Sequence, residues 1–428
     1  MADFITKMRI KNLKCFKGEH TLDFANDKGE HCKWNIIIGN NGSGKSTVLA
    51  GAGIGATNKI IDLGKEFQID FPFIPKAFFT EEDWDKSIIR LTMENHCEME
   101  FSQWGESFSI PGRANFNVPA FVYGATRSII EGLAWEPDHL KFNCNIFGNQ
   151  SQISSPEEWL LDLHLRELAT SKTSKFAKHK KAVIDTLVNV LPDVDAILFP
   201  KPKDMDSPSI LFSTPYGDVP PDQLSGGYKT LMGWLVDLTR RMFDAYPNSK
   251  DPLAEPAIVV VDEIDLHLHP SWQIKLIDYL DERFKQTQFI VSAHSPLIVQ
   301  SHPDANIILL EREGDGVVVR QDFDHISNWR IDQILSSDLF GTTRLTSKLE
   351  QDLVAEHSKL VAKAKRTKAE EKRLQEVCRE METKLPVGQN PEDRELHMML
   401  TNYLREQKAG YSADTSDDKK AAKKASSK

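Results

Sequence analysis

The chain has 428 residues, 40% of them hydrophobic and 27% charged, with a formal net charge of −10. That composition belongs to a globular chain able to bury a real core, and its negative balance excludes a wholly basic nucleic-acid-binding surface while leaving room for a local patch. The longest apolar run, about five residues around 258–261, is far short of the roughly 20 that a membrane helix needs.

The N-terminus, MADFITKMRIKN, is charged and strand-like, without a secretory pattern. Five scattered cysteines include no CxxC pair, which argues for a reducing cytoplasm and against a zinc site or disulfide framework. MRIKNLKCF and HTLDF read as strands separated by a turn at KGE. WNIIIG is an apolar run ending at glycine, as a buried strand does. A helix is expected from Ser46, where small residues Ala50, Gly51, Ala52 and Gly53 permit close packing. An insert at about 60–155 carries the strand-like runs SIIRLTM, EMEFSQ, ESFSI and AFVYGA. Residues 156–192 read as helical, with SPEEW supplying an N-cap serine and acidic first-turn residues.

AIVVVDE and QFIVSAH have the composition of buried parallel strands. The helix PSWQIKLIDYLDERFK lies between them, giving a strand–helix–strand unit. NIILLER and GVVVRQ form a closing hairpin around EGDG. From about Leu345 one long charged helix is expected, then a break at PVGQNP and a second helix with Leu396, Met399, Leu400, Tyr403 and Leu404 on one stripe. The two make a helical hairpin. The apolar stripe thins between Ala362 and Arg373, which excludes a long coiled coil. The Lys-rich tail 411–428 has no apolar anchor and reads as disordered.

Four motifs carry chemistry. Gly39, Asn40, Asn41, Gly42, Ser43, Gly44, Lys45, Ser46 and Thr47 follow a predicted strand and open a predicted helix, the context of a phosphate-binding loop. Glycines let backbone N–H groups wrap phosphates, and the helix N-terminus adds partial positive charge. Lys45 can reach the β- and γ-phosphates, and the Ser46 hydroxyl can ligate Mg²⁺. Asp262 and Glu263 end an apolar strand, where α/β sheets bind ligands. Asp262 suits the metal, and Glu263 suits a general base for an attacking water. Leu224-Ser225-Gly226-Gly227 precedes a helical stretch, so Ser225, Gly226 and Gly227 offer a hydroxyl and N–H groups to an anion. His294 stands at the end of the next strand, able to hydrogen-bond a γ-phosphate oxygen and report its loss.

Phosphate loop, LSGG, acidic pair, the following Asp265-Leu266-His267-Leu268-His269-Pro270 and His294 together resemble an ABC-class ATPase. DEIDLHLHP is similar to the SMC, RecF and OLD-like branch rather than to transporter subunits. Ile10-x-Asn12-Leu13-Lys14-x-Phe16 resembles the opening strand of that branch, which implies that Lys14 lies near the adenine. The likeness extends to small ATPases of bacterial anti-phage defence operons, of the Septu and retron-associated type, through VYGATR (122–127) and WRIDQIL (329–335).

The resemblance implies an α/β fold: an ABC head over 1–325 with a P-loop sheet, an antiparallel lobe and a helical signature subdomain. A C-terminal helical region over 326–410 follows. It implies ATP and Mg²⁺ as ligands and a head-to-tail pair with a second copy. It further implies an effector partner such as an HNH-type nuclease, in the cytoplasm and not at a membrane. Two alternatives stay open, a RecF-like DNA repair or replication ATPase and an ATP-dependent assembly scaffold with little turnover.

The chain departs from the pattern in places. The glutamine-bearing loop of ABC heads has no clear counterpart among Gln103, Gln150 and Gln152, and Arg127 is a candidate to face the nucleotide instead. Residues 45–225 hold no long heptad pattern, against an SMC-style arm. Lys172, Lys175, Lys178, Lys180 and Lys181 form a basic run that could contact DNA or RNA phosphates, or equally a solvated helix face. His267 and His269 are explained better as part of the loop after the acidic pair than as a metal pair.

Overall fold

The computed structural model describes residues 2–56, 88–93, 98–104, 107–109, 118–130, 151–170, 174–200, 209–302, 304–321, 323, 326–340, 348–363 and 366–384. The chain divides into two compact units, Met1–Thr342 and Thr343–Lys428.

The first unit opens with β1 (Ile5–Leu13), β2 (Phe16–Asp23), β3 (Trp34–Gly39) and α1 (Lys45–Ala56). It continues through β4 (Ile88–Met93), β5 (Glu98–Trp104), β6 (Ser107–Ser109), β7 (Ala120–Tyr123), β8 (Arg127–Ile130) and β9 (Ser151–Ser154). Next come α2 (Pro156–Ala169), α3 (Lys175–Val190), β10 (Ala196–Leu198), β11 (Leu211–Thr214), β12 (Gly217–Val219) and α4 (Gly226–Ala245). The unit closes with β13 (Ala257–Val261), α5 (Pro270–Arg283), β14 (Thr287–Ser292), α6 (Pro296–Gln300), β15 (Asn306–Glu313), β16 (Gly316–Arg320) and α7 (Ile331–Ser336).

The central sheet runs β16-β15-β3-β14-β13-β7. All its neighbours are parallel except β16, which closes the edge as an antiparallel hairpin with β15. Period-two alternation explains why it is apolar throughout. On β13, Ile258 and Val260 join one core cluster with α1 and the first hairpin, while Val259 and Val261 join another with α4 and α5. All four side chains are fully buried. A parallel sheet covered on both faces requires that pattern.

A second sheet, β2-β1-β4-β5-β6, is antiparallel. One buried side chain ties it to the first: Gln288 on β14 accepts from the Ile5 amide at 2.9 Å and donates to the Ile5 carbonyl at 2.7 Å. The amide imitates a strand neighbour and leaves no orphan group where two sheets meet. Helix α1 slides between them because it is small-faced, with a methyl at Gly53 meeting Val122 at 3.0 Å.

The runs expected as strands between 88 and 123 form β4 to β7, and Ser155 caps α2 by accepting from the Glu158 amide. Two local expectations change in this unit. The first turn falls at Lys14 and Cys15, not at KGE, because Leu13 pairs with Phe16 and Lys14 adopts a left-handed φ of 53°. The helical stretch 156–192 is two helices, the second capped by Ser174.

In the second unit the single long helix expected from Leu345 is instead a hairpin of α8 (Lys348–Val361) and α9 (Lys368–Lys384). Its cause is a capping box. Thr367 Oγ1 accepts from the Glu370 amide at 3.3 Å, and Glu370 accepts from the Thr367 amide at 2.8 Å. Leu353, Leu360 and Val377 are buried, and Arg373 forks onto Glu356 at 2.8 and 2.9 Å. The expected second helix beyond PVGQNP and the Lys-rich tail lie outside the described residues.

Candidate nucleotide-binding site

Strand β3 delivers the chain to the glycine-rich loop, and α1 takes it up at Lys45. A Cβ at Gly39 would lie 2.4 Å from the Leu310 carbonyl oxygen, so only glycine lets the loop leave the sheet here. Gly44 has φ +96°, and a Cβ there would lie 2.7 Å from Cys15 Sγ and from a Phe16 ring carbon. The tip of the β1–β2 hairpin is therefore seated on the loop, which brings exposed Lys14 beside it. Asn40, Asn41, Gly42 and Ser46 are exposed, while Ser43, Lys45 and Thr47 are buried.

Lys45 Nζ donates to the carbonyls of Gly39 at 2.7 Å and Asn40 at 3.3 Å, across the inside of the loop. Burial pushes its ammonium down, against the pull of Asp262, Glu263 and Asp265. Ser43 Oγ is buried with no hydrogen-bond partner, an unmet polar atom inside the cradle.

The acidic pair follows β13. Buried Asp262 accepts from Ser46 Oγ at 2.8 Å and from Ser292 Oγ at 2.5 Å. Ser292 Oγ in turn accepts from the Glu263 amide at 2.7 Å. Glu263 sits at φ 50°, a left-handed conformation that costs a non-glycine residue about 1–3 kcal/mol and persists only when its surroundings enforce it. The enforcers are Ser292 on the amide side and Arg127 on the carbonyl side. Arg127 donates to the carbonyls of Asp262 at 2.5 Å, Glu263 at 3.2 Å and Gly124 at 2.8 Å.

Arg127 thus spends its guanidinium on the backbone behind the acidic pair; the expectation that it faces nucleotide is replaced by this role. Its plane lies over Trp234 of α4, 5.8 Å to the ring centroid. Burial pushes it down to about 10, so it stays charged near neutrality. Close by, Tyr123 donates to Asp237 at 2.9 Å, and Arg241 pairs with the same carboxylate at 2.5 Å.

His294 is exposed at the end of β14, its amide donating to Asp265 Oδ2 at 3.0 Å. Asp265 Oδ1 is buried without a partner. His269 caps α5 by accepting from the Ser271 amide, and among the described residues no group of three His, Cys, Asp or Glu side chains forms a metal cage.

Helix α4 begins at Gly226, with Ser225 as an N-cap that makes no side-chain capping bond. Ser225 and Gly226 are exposed, whereas Gly227 is buried so tightly that a Cβ would meet the His267 carbonyl oxygen at 2.5 Å. Among the described residues no hydrogen bond joins Ser225, Gly226 or Gly227 to the loop 39–47. The fold therefore gathers Lys45, Ser46, Asp262, Glu263 and His294 at adjacent strand ends, and leaves Ser225 and Gly226 exposed, with no hydrogen bond to the loop among the described residues.

Sequence reasoning missed Ser292 and Trp234. Ser292 was within reach, because β13 and β14 pair in register at Val261 and Val291, so the next residues are Asp262 and Ser292. Trp234 carried no signal beyond its helical spacing. Of the three candidate glutamines, Gln103 is on β5 and Gln152 on β9, Gln150 lies outside the described residues, and the end of β7 presents Gly124 to Arg127.

A glycine-rich loop between a buried parallel strand and a helix, with its serine bonded to an acid at the end of the strand two places along the sheet, defines a P-loop nucleotide-binding fold. The chain belongs to the AAA domain family described as "AAA domain, putative AbiEii toxin, Type IV TA system", whose model matches residues 35–300. It is 48% identical to the "Retron Ec83 probable ATPase" of Escherichia coli over 89 residues, 21% of this chain and 16% of that one. It is 24% identical to the "Septu protein PtuA" of Bacillus mycoides (strain KBAB4) over 348 residues, 79% of this chain. The chain spans 45% of that relative's length. The SMC head domain from Thermotoga maritima superposes with a TM-score of 0.39 at 15% identity, covering 76% of this chain and 100% of that one. Among the described residues no helix is long and apolar enough to cross a membrane.

Proposed function

We propose that this chain binds ATP with Mg²⁺ and hydrolyses it as a head-to-tail pair of copies, a switch that controls a partner effector in anti-phage defence. The observation that carries the reading is the chain of bonds Ser46–Asp262–Ser292–Glu263, which sets two hard oxygen donors 2.8 Å apart beside the phosphate loop. Those donors fit Mg²⁺, an ion held through few protein oxygens plus substrate phosphates. Ser46 and Asp262 would hold it, and it would neutralise charge on the β- and γ-phosphates.

The protein's own residues account for the rest. Backbone N–H groups of the loop and the start of α1, whose first turn carries no acid, bind the phosphates. Lys45 exchanges its two carbonyl partners for phosphate oxygens. Glu263 orients the attacking water and takes its proton. His294 contacts the γ-phosphate and passes its loss to Asp265, a role supported by the bond from its amide to that carboxylate. Lys14 flanks the base from the hairpin tip. Ser225 and the free N-terminus of α4 face away, and so serve the nucleotide of a second copy.

The role in defence, and an effector such as an HNH-type nuclease, rest on the likeness to the Septu and retron ATPases. Exposed Lys175, Lys178 and Lys181 on α3 favour a second reading, direct contact with DNA or RNA; Lys180 is instead paired with Glu167, and Lys172 lies outside the described residues. Reversing those three charges should then flatten the salt dependence of nucleic-acid binding.

The main test is Glu263→Gln. It should keep ATP affinity, lower phosphate release by roughly 10²–10⁴-fold, and accumulate as a dimer with ATP by light scattering. Wild-type turnover in this variant would remove Glu263 as the base.

A further inference from the structure

Arg127 makes three contacts with backbone, two at the end of β13 that carries Glu263 and one at the end of the adjacent β7. Its guanidinium bridges the successive carbonyls of Asp262 and Glu263 and, through Nε, the carbonyl of Gly124 at the end of β7. Its face packs on Trp234, two turns into α4, the helix that starts at Ser225.

We propose that Arg127 is a positioning residue for hydrolysis, which holds Glu263 in its left-handed conformation and couples that conformation to the placement of α4. Two properties of arginine make this possible. A planar fork with several N–H groups can serve two carbonyls at once, and the same plane can stack on an indole. Glu263 has φ 50°, so the direction of its carboxylate depends on whatever fixes the adjacent peptide planes. The Ser292 hydroxyl fixes the N–H side and Arg127 the C=O side. A shift of α4, the helix carrying the outward-facing Ser225, would press on Trp234, move the guanidinium and turn the Glu263 peptide. Docking of a second nucleotide at α4 would then be felt at this chain's own water-activating carboxylate. Tyr123 on β7 donates to Asp237 on the same stretch of α4, and Arg241 one turn on pairs with that carboxylate, so helix and sheet edge are also tied beside Trp234.

The inference rests on Glu263 acting as the base, and the two can fail separately. Full-length Arg127→Lys and Arg127→Ala should bind a fluorescent ATP analogue within about 3-fold of wild type, while kcat falls by roughly 100-fold, the scale of a 1 Å misplacement of a reacting group. Lysine keeps the charge but lacks the second nitrogen, Nε, that holds the Gly124 carbonyl and the guanidinium over Trp234, so it should not restore the rate. Millimolar methylguanidine should recover part of kcat in Arg127→Ala and none in Glu263→Gln. If Glu263→Gln is inactive and Arg127→Lys turns over at the wild-type rate, the positioning role is wrong. If both Arg127 variants lose nucleotide affinity and melting temperature in step with kcat, Arg127 merely supports the fold and the proposal also falls. If Glu263→Gln itself turns over normally, the failure belongs to the assignment of the base.

Discussion

The phosphate loop and the start of α4 carry similar residue types, glycines with a neighbouring serine, and the fold treats them in opposite ways. Around the loop most of these polar groups are already engaged, Ser43 Oγ excepted: Lys45 on two carbonyls, Ser46 on Asp262, Ser292 on both Asp262 and Glu263. At α4, Ser225 makes no capping bond and both it and Gly226 are exposed. One end is preorganised within the chain and the other presents unmet donors to the outside. A helix N-terminus leaves its first N–H groups without intrahelical partners, so such an end is satisfied by water or by an anion. In the proposed head-to-tail pair the two ends serve different nucleotides.

The largest effect should come from removing the one cation inside the loop. Lys45→Ala should abolish hydrolysis and most ATP binding, measured by phosphate release and equilibrium titration. Hydrolysis at the wild-type rate would break the assignment of the preorganised end.

Ser292→Ala probes how that end is held. Without its hydroxyl, the Glu263 amide and one Asp262 oxygen lose their partner, and a buried unsatisfied group costs about 1–3 kcal/mol. Turnover should fall about 10-fold, with ATP affinity nearly kept. A fall in affinity equal to the fall in rate would show that Ser292 serves binding and not the base.

The smallest effect is expected at the anchored residue of the outer end. Gly227→Ala forces a methyl against the His267 carbonyl and should lower stability by about 1–3 kcal/mol as overpacking does. ATP binding to a single chain should survive. Loss of that binding would mean that α4 belongs to the same nucleotide as the loop.

Much of the preorganised end was legible in the sequence, since its residues are consecutive or sit at the ends of apolar strands. Gly39 to Thr47, Asp262, Glu263 and His294 needed only strand and helix boundaries to be placed side by side. What escaped was contact across long sequence gaps. Gln288 bonding Ile5, and Arg127 bonding Glu263, depend on which strands neighbour one another, and no local pattern records that. The C-terminal unit shows a different failure. A charged, helix-favouring stretch hides its own interruption, and only the Thr367–Glu370 capping box marks the restart. The first turn was misplaced because KGE looks like a turn, whereas the pairing of Leu13 with Phe16 sets it at Lys14 and Cys15.

The central claim is that Ser225 of one copy completes the site built on Lys45 and Glu263 of another. Mixing a Lys45→Ala chain with a Ser225→Arg chain tests it. In a mixed pair both lesions fall on one composite site and the other site is intact. Each variant alone should be inactive, and the mixture should regain part of the wild-type ATPase, in proportion to the mixed pairs counted by native mass spectrometry. Mixed pairs that form without any recovered hydrolysis, or full activity of Ser225→Arg by itself, would contradict the account.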